Sequence, residues 1–137
     1  MPATKKIVTT WQQRGMVFSG ESPGKPAVTI DGDTTAGPSP VDTLLIALAG
    51  CTGSDVVLIL GKKRIDLRAL RIDVTGTRRD EEPLRFIAIK LDFIVTAPGA
   101  TEQAVRHAID LSLEKYCSVT HSLNPDIPIT YDLVLQA

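Results

Sequence analysis

The stretch from Val41 to Leu60 is almost entirely apolar, broken mainly by Asp42, Thr52, Ser54 and Asp55, and it follows Gly37-Pro38-Ser39-Pro40. Ser39 before Pro40 is a cap followed by a proline suited to a first helical position, so a long helix is predicted from about Val41 through Leu60. It finishes at Gly61-Lys62-Lys63-Arg64, where cations suit the negative end of the helix dipole. Leu44, Leu45, Ile46, Leu48, Val56, Val57, Leu58 and Ile59 leave it little polar face, which predicts a helix covered on several sides. Its length approaches that of a membrane span, but its two aspartates and hydroxyls are costly in hydrocarbon. A buried core helix with no membrane role is the expectation.

The rest of the chain has to supply the cover. Lys5–Trp11, Met16–Phe18 and Ala27–Ile30 read as short strands broken by Arg14-Gly15 and Ser22-Pro23-Gly24, a small antiparallel meander. Alternating Leu70, Ile72 and Val74, then Ile87, Ile89, Leu91 and Phe93, predict strands over Leu67–Thr77 and Leu84–Thr96. Apolar positions at Ala104, Val105, Ala108, Ile109, Leu111 and Leu113 predict a second helix over Thr101–Tyr116, and a last strand covers Ile127–Leu135. The order is βββ-α-ββ-α-β, an α+β fold in a single domain over residues 1–137. One nearly all-apolar helix between two small sheets also points to a dimer.

At 137 residues the chain can bury a core without disulfides, and 43% hydrophobic with 23% charged residues is an ordinary globular balance. A net charge of -1 provides no field to gather nucleic acid. Met1-Pro-Ala-Thr-Lys-Lys-Ile-Val lacks the apolar core of a secretory signal, so the expected location is cytoplasmic. Thiols there are kept reduced, which makes Cys51 and Cys117 buried fillers or catalytic groups rather than a structural bridge.

Position separates the two cysteines. Cys51 lies about ten residues into the first helix, roughly 15 Å from its start, beyond the reach of the N-terminal dipole. A reactive thiolate there needs a side chain, and Arg14, Lys115, His121, Arg78 and Arg79 are the candidates. Cys117 falls at the end of the second helix, where unpaired carbonyls disfavour a thiolate, so it suits resolving better than attacking. Asp55, four residues after Cys51, shares its helix face and could orient a cation beside the thiol or simply bond a neighbouring element. Two cysteines with His107 and His121 lack zinc-site spacing, so no metal is expected. Gly24, Gly37 and Gly99 belong to turns, and none forms a phosphate-cradling loop, so no nucleotide cofactor is expected either.

Gly37-Pro38-Ser39-Pro40-Val41-Asp42-Thr43-Leu44-Leu45-Ile46-Ala47-Leu48-Ala49-Gly50-Cys51-Thr52 resembles the helix-entry and first-cysteine motif of the OsmC/Ohr family. Lys115-Tyr116-Cys117-Ser118-Val119 resembles its second-cysteine motif, and the predicted element order is similar to its fold across nearly the whole chain. The resemblance implies an intertwined homodimer with central helices packed against antiparallel sheets and sites at the subunit interface. It implies peroxiredoxin-like chemistry with no metal or flavin: Cys51 attacks an organic hydroperoxide, becomes a sulfenic acid and condenses with Cys117 to a disulfide. A lipoyl or thioredoxin-like dithiol then restores the thiols, as part of an oxidative-stress response.

The resemblance also implies an arginine and a glutamate around the reactive thiol. Arg14 is the arginine available before the helix, and the glutamate position is Val41, with Asp42 one residue late and about 100° away on a helix. Leu44, Leu48 and Phe18 are the expected apolar walls for a greasy substrate. Two alternatives stand beside peroxide reduction. Val41 in place of the glutamate fits a non-peroxidase dimer that senses redox state or binds a small apolar ligand, and inert buried cysteines fit a structural dimer.

Overall fold

The computed structural model describes residues 2–137, so Met1 of the expected 1–137 domain lies outside the described residues. Its elements are β1 (Val8–Trp11), β2 (Val17–Glu21), β3 (Val28–Asp31), α1 (Pro40–Lys62), β4 (Ala69–Arg78), β5 (Phe86–Thr96), α2 (Glu102–Leu111), a π-helical turn (Ser112–Tyr116), α3 (Ser118–Ser122) and β6 (Ile129–Gln136). The fold is α+β in the expected order, with the π turn and α3 added. Two compact units result, Met1–Leu44 and Leu45–Ala137.

In the first unit β1, β2 and β3 form an antiparallel meander, with Trp11 opposite Phe18 and Val17 opposite Asp31. The Trp11 indole N–H donates to the Gly15 carbonyl at 3.0 Å across the first turn. Asp31, nearly fully buried, closes the loop after β3: its carboxylate accepts from the amides of Asp33, Thr35 and Ala36 at 2.9, 3.2 and 3.0 Å. Those amides, Ala36 foremost, hold the carboxyl below its ordinary pKa, and the charge of Arg14 adds to the effect. Val17 is the buried apolar residue of this unit, while Ile7, Val8, Trp11, Met16 and Val28 remain exposed.

Helix α1 starts with a reciprocal cap. The Ser39 amide donates to Asp42 Oδ2 at 3.1 Å, and the Asp42 amide donates to Ser39 Oγ at 3.0 Å. This is a capping box with aspartate in the place usually held by glutamate or glutamine.

The second unit is organised on β5. β4 pairs with it antiparallel and β6 parallel, in the order β4-β5-β6. The parallel edge corrects the expectation of purely antiparallel sheets: β5 and β6 are joined by the α2 segment, and a crossover of that kind returns the chain in the same direction. Register aligns one apolar face, with rows Val74–Leu91–Tyr131, Ile72–Phe93–Leu133 and Leu70–Val95–Leu135. The central residues Ile89, Leu91, Phe93 and Val95 are buried. The other face carries Arg71 paired with Asp73 and Lys90 paired with Asp92 and Asp132, so water covers that side.

On α1, the i,i+4 series Leu48, Thr52, Val56 and Leu60 is fully buried. Gly53 lets the helix approach β4, since a Cβ there would stand 3.2 Å from Ile72 Cδ1. Ile46, Val57 and Leu58 on other faces stay more than half exposed, so within one chain α1 is not enclosed as expected. By length and mean hydropathy α1 would also meet the requirement for a membrane span. Its polar residues Thr52 and Asp55, however, bond to the α2 segment. Thr101 caps α2 by accepting from the Ala104 amide at 3.1 Å.

Gly76 on β4 lies under the Phe86 ring, and an added methyl would meet both Cε1 and Cδ1 of that ring. Gly76→Ala should therefore lower stability by about 1–3 kcal/mol through overpacking. Gly61→Ala, with nothing within 4 Å of the new methyl, should be neutral or gain about 0.5–1 kcal/mol. Urea denaturation of both variants checks the contrast.

Candidate functional site

Cys51 and Thr52 are neighbours on α1, one half-buried and the other fully buried. The segment that reaches them is α2. It runs as an ordinary helix to Leu111 and then widens into one π turn, in which the Cys117 amide donates to the Ser112 carbonyl at 2.7 Å. The turn ends with Cys117 in an extended conformation (φ -70, ψ 104), from which α3 begins. This corrects the expectation that Cys117 sits among the unpaired carbonyls of a helix end. Cys117 instead caps the next helical turn, with its sulfur accepting from the Thr120 amide at 3.4 Å.

Two side-chain bonds tie this junction to α1. The buried Ser112 hydroxyl donates to Asp55 Oδ2 at 2.8 Å, one helical turn beyond Cys51. The fully buried Thr52 hydroxyl donates to Cys117 Sγ at 3.3 Å. Asp55 thus bonds the neighbouring helix instead of orienting a cation.

The two thiols influence one another's ionisation and stand in different fields. Burial pushes Cys51 up, and the amides of Val119 and Ser118 offset part of that, while the Cys117 sulfur adds to the rise. For Cys117 burial also acts upward, but it is outweighed. The Thr120 hydroxyl, the Thr52 hydroxyl, the Thr120 amide and the Cys51 thiol together hold Cys117 below the ordinary thiol value. The Thr120 hydroxyl oxygen is itself buried and has no hydrogen-bond partner. Cys117 is fully buried, whereas Cys51 keeps some exposure.

The cations named from sequence lie otherwise. Arg78 donates to the Leu84 carbonyl, Arg79 pairs with Glu81, and Lys115 lies over the Tyr116 ring. His121 is exposed on α3. Arg14, in the first unit, is exposed in the turn after β1, and its charge acts on Asp31. Burial acts most strongly on both thiols, followed by amides, hydroxyls and the other cysteine's sulfur.

Of the remaining expected positions, Asp42 is committed to the capping box, so its carboxylate does not replace a glutamate at Val41. Leu48, expected as a pocket wall, is a core residue of the second unit with no exposure. Phe18 is half-buried on β2 and Leu44 is 40% exposed, both in the first unit. Thr52, Ser112 and Thr120 carry the site and were not singled out as partners of the thiols. Thr52 adjoins Cys51 in sequence, but Ser112 and Thr120 depend on the π turn, which has no pattern in the residue order.

The sequence profile of the family described as OsmC-like protein matches residues 31–132, a span that crosses from the first unit into the second. Protein YhfA of Escherichia coli is 42% identical over 118 residues, covering 85% of this chain and 88% of that protein. An OsmC-like protein from Mycoplasma pneumoniae superposes with a TM-score of 0.84 at 21% identity over the full length of both chains. The organic hydroperoxide resistance protein OhrB of Bacillus subtilis shares the fold at a TM-score of 0.62 and 16% identity, covering 96% of this chain and 98% of that one.

Ser112 is the link whose loss should show most directly. Ser112→Ala leaves the Asp55 carboxylate without its donor in a part-buried contact and should cost about 1–2 kcal/mol. The denaturation midpoint is expected to fall with its slope unchanged, and an unaltered midpoint would mean that this bond does not secure the junction.

Proposed function

The chain belongs to the OsmC-like protein family, and from that premise we propose that it is a thiol-dependent peroxidase that reduces organic or lipid hydroperoxides through Cys51 and Cys117. The observation that carries this reading is the pair itself: a part-exposed thiol whose helix neighbour Thr52 bonds the sulfur of a fully buried one, which also accepts from the Thr120 amide. A sulfenic acid formed at the accessible Cys51 would have a ready thiol beside it for condensation, which protects it from further oxidation. The fold shared with a Bacillus subtilis protein named for organic hydroperoxide resistance supports the substrate class. Cys51 attacks, Cys117 resolves, and a lipoyl or thioredoxin-like dithiol closes the cycle in the cytoplasm. Arg14 is the proposed cation for the Cys51 thiolate, with Phe18 and Leu44 among the apolar surface offered to the substrate.

A homodimer belongs to the same proposal. Ile46, Val57 and Leu58 of α1 and Ile7, Val8, Trp11 and Val28 of the first unit are large apolar side chains left exposed in one chain. An intertwined pair of chains would cover them. A second reading is favoured by Val41 and by the commitment of Asp42 to its cap. Without the helix-entry carboxylate at Val41, the same dimer would act as a redox sensor or a small apolar-ligand binder.

Treatment of the reduced protein with one equivalent of cumene hydroperoxide, followed by intact mass, tests the peroxidase reading. Rapid loss of both thiols to a Cys51–Cys117 disulfide is expected, with a sulfenic acid accumulating in Cys117→Ser and no reaction in Cys51→Ser. Both thiols persisting for hours would exclude this function and favour the second reading. Light scattering should give twice the 14.8 kDa of one chain, and a compact monomer would contradict the dimer.

A further inference from the structure

We infer that Thr52 is the hydrogen-bond donor that receives Cys117 as leaving thiolate when a dithiol reduces the Cys51–Cys117 disulfide, the reductant attacking the sulfur of Cys51. This rests on the disulfide cycle of the proposed function and deepens it by assigning which sulfur is attacked and which is expelled. Both cysteines are free thiols in the structure, which is therefore the product of that reduction. In it the Cys117 sulfur accepts from Thr52 Oγ1 at 3.3 Å and from the Thr120 amide at 3.4 Å. Donors already in place where negative charge develops stabilise the step without having to move. Cys117 and Thr52 are both fully buried, which strengthens their bond in a low dielectric.

Access selects the same direction. Cys117 has no exposed surface, and its sulfur lies between Thr52 of α1 and the first turn of α3, whereas Cys51 keeps part of its surface open. An incoming thiolate reaches the open sulfur first. Leaving ability agrees, because burial pushes the Cys51 thiol up and a less acidic thiol is expelled more slowly. Thr52 follows Cys51 on α1, so the attacked sulfur and the donor for the expelled one sit on a single rigid element.

The exchange balances. A thiolate of the dithiol bonds to Cys51 Sγ, the Cys51–Cys117 bond breaks, and its electron pair leaves on Cys117 Sγ, which Thr52 and the Thr120 amide hold. The second thiol of the reductant then attacks its own sulfur in the mixed disulfide, closes a cyclic disulfide and expels Cys51, which takes the proton that this thiol gives up. The dithiol loses two electrons, the protein disulfide gains them, and the negative charge that arrived on the reductant ends on Cys117.

Oxidation with diamide prepares the disulfide without a peroxide. Brief exposure of that protein to glutathione, quenched with acid and mapped by peptide mass, should place glutathione on Cys51 and leave Cys117 free. Glutathione on Cys117 would overturn the assignment, as would the failure of diamide to join the two cysteines. Reduction by dithiothreitol at neutral pH should be slowed roughly threefold to tenfold in Thr52→Val, the worth of one hydrogen bond, and Thr52→Ser should recover the rate. Serine keeps the hydroxyl and loses the methyl, so that recovery separates donation from packing. An unchanged rate in Thr52→Val would remove Thr52 from the step. A disulfide formed by diamide but not by cumene hydroperoxide, with glutathione still on Cys51, would remove the peroxidase reading and keep this one. Should Thr52→Val fail to fold, the glutathione map of the unaltered protein decides.

Discussion

The contact on which the site depends is the docking of the π turn onto α1 through Ser112. Its hydroxyl is bonded to Asp55 and its carbonyl receives the Cys117 amide, so one buried residue sets both the distance between the helices and the exit direction of the chain. A regular α-helical continuation would carry Cys117 to a different azimuth and leave its sulfur facing helix carbonyls. The extra residue in the turn releases the chain early, and α3 can begin at the sulfur. The rest follows from that placement: Thr52 meets Cys117, and the Thr120 amide donates to the Cys117 sulfur.

The result is an asymmetric thiol pair built largely from neutral groups. Hydroxyls and amides stabilise charge at Cys117 against the cost of burial, while Cys51 lacks equivalent support and remains the more accessible sulfur. Fixed dipoles in a buried site can do what a mobile surface arginine does elsewhere, because they are already oriented and poorly screened. This accounts for how a chain with Val41 at the first helical turn, and Asp42 spent on a cap, can retain a polarised thiol.

Much of the scaffold was readable from residue order because its signals are local. The Ser39-Pro40 cap and the cationic stop bracket α1 to within two residues at each end. The alternation in β4 and β5 gave their extent, since period two survives whatever packs on the face. The second helix ends at Tyr116 as the sequence implies, but Leu111 and Leu113 keep an apolar rhythm that gives no sign of the change from α-helix to π turn at Ser112. The parallel pairing of β6 is a property of the crossover rather than of any residue in the strand. The solvent exposure of Ile46, Val57 and Leu58 marks where the expectation of an enclosed helix is not met within one chain. The cysteines were identified from sequence, but the field at Cys117 was not, because it arises from a serine and two threonines brought together by the turn.

The most direct measurement of the central claim is the ultraviolet thiolate absorbance of the fully reduced protein across pH, compared with Cys51→Ser and Cys117→Ser. One thiolate per chain appearing below the range of an ordinary cysteine, retained in Cys51→Ser and lost in Cys117→Ser, is the predicted result. Absorbance that appears only at alkaline pH in all three proteins, or an early thiolate that survives in Cys117→Ser, would contradict the storage of charge on Cys117.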